Sequence, residues 1–75
     1  MINSSHVGVL LQLVQLCKDN NADYCEFTKG EAAPEIEAAL EAAKSPVALP
    51  VWYAVGGYTV LVYTTLMGEW HFEFR

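Results

Sequence analysis

Apolar and polar positions change their period along this 75-residue chain. Over residues 51–75 they alternate nearly one by one, the repeat of a strand with one buried face. Over residues 7–17 and 36–43 they recur at three- and four-residue spacing, the repeat of a helix. The first helix is predicted over about 5–20, with Ser4 or Ser5 as its cap and Asp19-Asn20-Asn21 as its end. On a helical wheel Gly8, Gln12, Gln15 and Asp19 gather on one side, and Val7, Val9, Leu10, Leu11, Leu13, Val14, Leu16 and Cys17 fill the rest. That apolar arc is wider than packing on a sheet requires. It predicts a further contact, with the second helix or with another copy of the chain.

A second helix is predicted from Ala32 or Ala33 to Lys44. Pro34 fits its first turn, where the missing N–H costs nothing. Glu31, Glu35 and Glu37 suit the positive end of its dipole, and Ser45-Pro46 stops it. Ile36, Leu40 and Ala43, with Ala39 beside them, mark its inward stripe. Between the helices, residues 22–28 alternate weakly. They read as a connection pinned by Phe27 that contains at most a short strand.

The stretch from Val47 onward carries the sheet. Gly56-Gly57 can take positive φ at both positions, as a two-residue type I′ hairpin requires, which sets Val55 opposite Tyr58 and Tyr53 opposite Val60. At the next turn a two-residue loop would force Met67 into positive φ. A three-residue loop, Leu66-Met67-Gly68, asks this only of Gly68 and closes on Thr65 and Glu69.

The choice fixes the faces, because a one-residue slip inverts a strand. Val51, Tyr53, Val55, Tyr58, Val60, Val62, Trp70, Phe72 and Phe74 then face the core. Trp52, Thr59, Leu61, Tyr63, Thr65, Glu69, His71, Glu73 and Arg75 face outward. Pro50 suits an edge strand, and residues 70–75 are expected to form the other, uncovered edge. The predicted fold is a single α+β domain over residues 1–75. Two helices pack on one face of a three-stranded antiparallel meander, with a short fourth strand at 22–28 as the variant.

Charge narrows the function classes. A net charge of −5 with only four Lys and Arg argues against direct nucleic-acid binding and against anionic membrane surfaces. The apolar run 7–17 is too short to span a bilayer. Just over half of the residues are apolar, more than a chain of this size easily buries, so some surface is left for a partner. Cys17 and Cys25 are eight apart, which is not the C-x-x-C spacing of metal or redox motifs. No basic, apolar leader opens the chain, so reduced thiols and a cytoplasmic location are expected.

No nucleotide, metal or nucleophile motif is present, and no cofactor or enzymatic activity is predicted. Two surfaces stand out instead. One is the acidic helix, with Glu31, Glu35, Glu37 and Glu41, which suits a partner protein with a basic surface. The other is the outward sheet face, where Trp52, Tyr63, His71 and Glu73 resemble the aromatic anchors of interfaces. A lone histidine between Glu69 and Glu73 reads as a strand residue rather than a metal ligand.

The expected function is therefore protein binding. Size and charge suit an inhibitor of the anti-CRISPR or anti-restriction type, made by a phage or mobile element against a host nucleic-acid enzyme. The competing expectations are a homodimer or larger oligomer with a pocket between subunits, and a structural subunit of an assembly.

Overall fold

The computed structural model describes residues 4–46 and 48–75. Six elements follow in chain order: α1 (Ser4–Asp19), β1 (Tyr24–Thr28), α2 (Pro34–Ala43), β2 (Tyr53–Val55), β3 (Tyr58–Thr64) and β4 (Glu69–Phe74). The four strands form one antiparallel sheet in the order β1-β4-β3-β2, with both helices on one face. The α+β class holds, and Tyr24–Thr28, within residues 22–28, form the short fourth strand.

Both hairpins take the predicted register. Val55 pairs with Tyr58 and Tyr53 with Val60, across Gly56 and Gly57 at φ of 53° and 89°. Gly68 has φ of 80°, and Thr65 N–H donates to Glu69 O at 2.8 Å, so the three-residue loop is the one used. Val62 then lies opposite Phe72 and Val60 opposite Phe74. Leu66 and Met67 at the loop tip are exposed.

Three expectations need correction. β4 is not an edge: β1 pairs with it along Tyr24↔Glu73 to Thr28↔Glu69, so its backbone is bonded on both sides and β1 is the outer strand. Val51 does not continue β2; it is 41% exposed, and the segment leaving α2 lies beside β3 instead. There Lys44 bridges Val62 in parallel, and Ser45 donates to Val62 O from both N–H (2.8 Å) and Oγ (3.1 Å). Helix α1 begins at Ser4, so Ser4 and Ser5 lie within its first turn rather than before it. Residues 1–3 and Val47 lie outside the described residues.

Helix α1 ends as its polar tail predicts. Asn21 takes φ of 56°, Asn21 N–H donates to Lys18 O (3.0 Å) and Ala22 N–H to Cys17 O (2.9 Å), the paired bonds of a Schellman turn. The core joins Leu10, Leu13, Val14 and Cys17 of α1, Ala39, Leu40 and Ala43 of α2, and Val55, Val60, Val62, Trp70 and Phe72 of the sheet. The wide apolar arc of α1 is used mainly within the chain. It packs against α2 and β2, and Val7, Val9 and Leu11 are partly buried there. Leu16, half exposed at 51%, is the member left facing solvent.

Candidate functional site

On the helix-free face, alternate residues of adjacent strands meet side by side. His71 lies directly across from Tyr63 on β3 and from Glu26 on β1, and Tyr24 is diagonal to it. The consequence is a three-ring stack. The imidazole lies 4.7 Å from the Tyr63 ring at 20° and 5.4 Å from the Tyr24 ring at 15°, measured between centroids. Rings at these separations and tilts are stacked.

Both ring nitrogens of His71 face carboxylates. Nε2 is 2.9 Å from Glu73 Oε1 and Nδ1 is 3.3 Å from Glu26 Oε2. A carboxylate only accepts, so the neutral ring can donate to one of the two and the doubly protonated ring to both. With only 12% of its side chain exposed, His71 is held on four sides while Tyr24 and Glu26 remain open to solvent. The result is a fixed aromatic patch with an acidic rim that includes Glu69, the cross-strand partner of Thr28.

Of the outward residues singled out in the sequence, Tyr63, His71 and Glu73 are brought together. Trp52 is placed apart. It precedes β2, and its ring stacks under the Arg75 guanidinium at 3.9 Å, a cation–π contact at another corner of the same face. Leu61, also outward, is buried opposite Glu73. Sequence reasoning did not place Tyr24 and Glu26 on this face. Their alternation was visible, but its meaning depends on β1 joining β4.

The acidic helix divides. Glu31 and Glu35 are exposed, and Glu41 is exposed with its carboxylate 3.8 Å from Lys44 Nζ. Glu37 has an internal task. It accepts from Gly30 N–H at 2.8 Å and from the indole N–H of Trp70, tying the turn before α2 to the core of β4. Lys29 and Lys44 lie over the Trp70 ring at 5.3 and 5.9 Å. Because α2 covers the inward face, its glutamates lie on the side of the molecule away from the tyrosine stack. Glu35 and Glu41 and the tyrosine stack therefore belong to opposite sides of the sheet, while Glu31 lies in the turn after β1, its N–H donating to Thr28 O at 3.2 Å.

Among the described residues no cavity opens between the elements and no cluster of three metal-ligating side chains occurs. No described helix is long and apolar enough to cross a membrane. Compared with family models, with curated proteins and with solved structures, the chain matches none.

Proposed function

We propose that this chain acts by binding another protein through the outward face of its sheet, without chemistry of its own. The observation that carries the reading is the Tyr24–His71–Tyr63 stack, pinned by Glu26 and Glu73 on a face that no helix covers. Aromatic rings held in place lose little entropy when a partner buries them, which is what an interface anchor requires. The glutamate rim and a net charge of −5 favour a partner that presents Lys or Arg, with the alkyl stems lying on the tyrosines and the charges on the rim. Glu35 and Glu41 on α2, with Glu31 in the turn before it, act in this reading as a field that speeds encounter. A role as an inhibitor made by a phage or mobile element rests on size and charge alone.

Light scattering over a concentration series comes first, because a stable dimer would reassign the face to a second copy of this chain. A monomer is expected. With a captured partner, Tyr63→Ala is then expected to weaken binding at least about tenfold, as an anchor does. Joint reversal of Glu35 and Glu41 to Lys is expected to slow association and leave dissociation nearly unchanged. Unchanged affinity in Tyr63→Ala, with loss in the Glu35/Glu41 variant, would move the interface to the helix side.

A further inference from the structure

The two cysteines lie apart from the outward face. Cys17 sits near the end of α1 with its side chain in the core, and Cys25 is the second residue of β1, partly buried under the same helix. The Schellman turn at Asn21 reverses the chain between them and lets β1 run back beside the helix end. Their sulfur atoms are 2.6 Å apart, with the Cys17 thiol donating to Cys25 Sγ. That is inside ordinary contact distance and a small displacement from an S–S bond of about 2.0 Å.

We propose that Cys17 and Cys25 form a dithiol oxidation site, at which a low-molecular-weight disulfide of the glutathione class closes a reversible bond between α1 and β1. Cys25, the less buried of the pair, gives its proton to solvent and attacks one sulfur of the small disulfide. One small thiolate leaves and is protonated. Cys17, deprotonated in turn, attacks Cys25 Sγ in the mixed disulfide and expels the second small thiol. Two protein thiols are oxidised and one small disulfide is reduced to two thiols, so electrons and protons balance.

The surroundings set the rates of the two steps. Burial, then the hydrogen bond and charge of Cys17, holds the Cys25 thiol well above its ordinary range. Thiolate is scarce there, so the first attack is slow, whereas the second crosses only 2.6 Å. The mixed disulfide is consumed as it forms. Because β1 carries Tyr24 and Glu26, the bridge also fastens one of the two outer strands of the sheet to the helix behind it.

The test equilibrates the full chain in graded glutathione redox buffers at mildly alkaline pH, approached from both reduced and oxidised protein and read by intact mass. Each condition is repeated in denaturing guanidinium. The folded chain is expected to lose about 2 Da at glutathione ratios at least about tenfold more reducing than the denatured chain needs. Slower amide exchange in β1 is expected to accompany the loss. A bridge no more favoured in the folded chain than in the denatured one overturns the proposal. So does oxidation that stops at a glutathione adduct or links two chains.

Discussion

The two faces of the sheet are made by the same strands, residue by alternate residue, and are built on different principles. Inward, Val60, Val62, Trp70 and Phe72 are closed over by α1 and α2. Outward, Tyr63, His71 and Glu73 interleave with them and meet Tyr24 and Glu26 on the side away from both described helices. Packing density holds the first face, so volume matters there. Stacking and hydrogen bonds order the second, so ring orientation matters while the face stays available. Only the inner face needs the helices.

The contrast is sharpest between neighbours on adjacent strands. Phe72→Ala is expected to cost about 3–5 kcal/mol, because Phe72 is fully buried in the core and its cavity cannot fill with water, whereas Tyr63→Ala is expected to cost at most about 1 kcal/mol. Urea unfolding measures both. Equal losses would mean that the outward stack is part of the core.

A second comparison is found at the first hairpin. A Cβ on Gly56 would lie 2.8 Å from both Cδ atoms of Leu11, whereas one on Gly57 would meet nothing within 4 Å. Both positions have positive φ, so each Ala substitution is expected to cost about 1 kcal/mol of backbone strain. Gly56→Ala is expected to cost about 1 kcal/mol more, for displacing Leu11. Thermal unfolding of the two variants, repeated in a Leu11→Ala background where the difference should close, decides whether the turn presses on α1.

The smallest expected effect separates two glutamates of one helix. Glu37→Gln removes an acceptor from either Gly30 N–H or the Trp70 indole, at a cost of about 1 kcal/mol. Glu35→Gln, on the exposed side, is expected to stay within about 0.5 kcal/mol of the parent. Equal denaturation midpoints for the two variants would remove the structural role given to Glu37.

Legibility followed sequence separation. Gly56-Gly57 and Leu66-Met67-Gly68 encode their hairpins locally, so the register from Tyr53 to Phe74 is legible in the sequence itself. The Asn21 turn and Pro34 helix start were readable for the same reason. β1 alternates like a strand, but its partner β4 lies more than forty residues away, and periodicity carries no information about a distant neighbour. Separation along the chain likewise hid Tyr24 and Glu26 from the candidate site, Glu37 from Trp70 33 residues on, and Ser45 from Val62 17 residues on. Tyr63, His71 and Glu73 of the outward cluster were visible as residues of known register. Tyr24 and Glu26 required the added strand.

The placement of the two tryptophans has a use in the laboratory. Trp70 is sealed in the core with its indole N–H on Glu37, and Trp52 lies half-covered beneath Arg75 on the outward side. Their light emission therefore separates by solvent access: a dissolved quencher reaches Trp52 while Trp70 stays dark to it until the helices lift. Replacing either indole by phenylalanine leaves a single-colour probe, one that reads unfolding and one that reads what settles on the open face, with no dye attached.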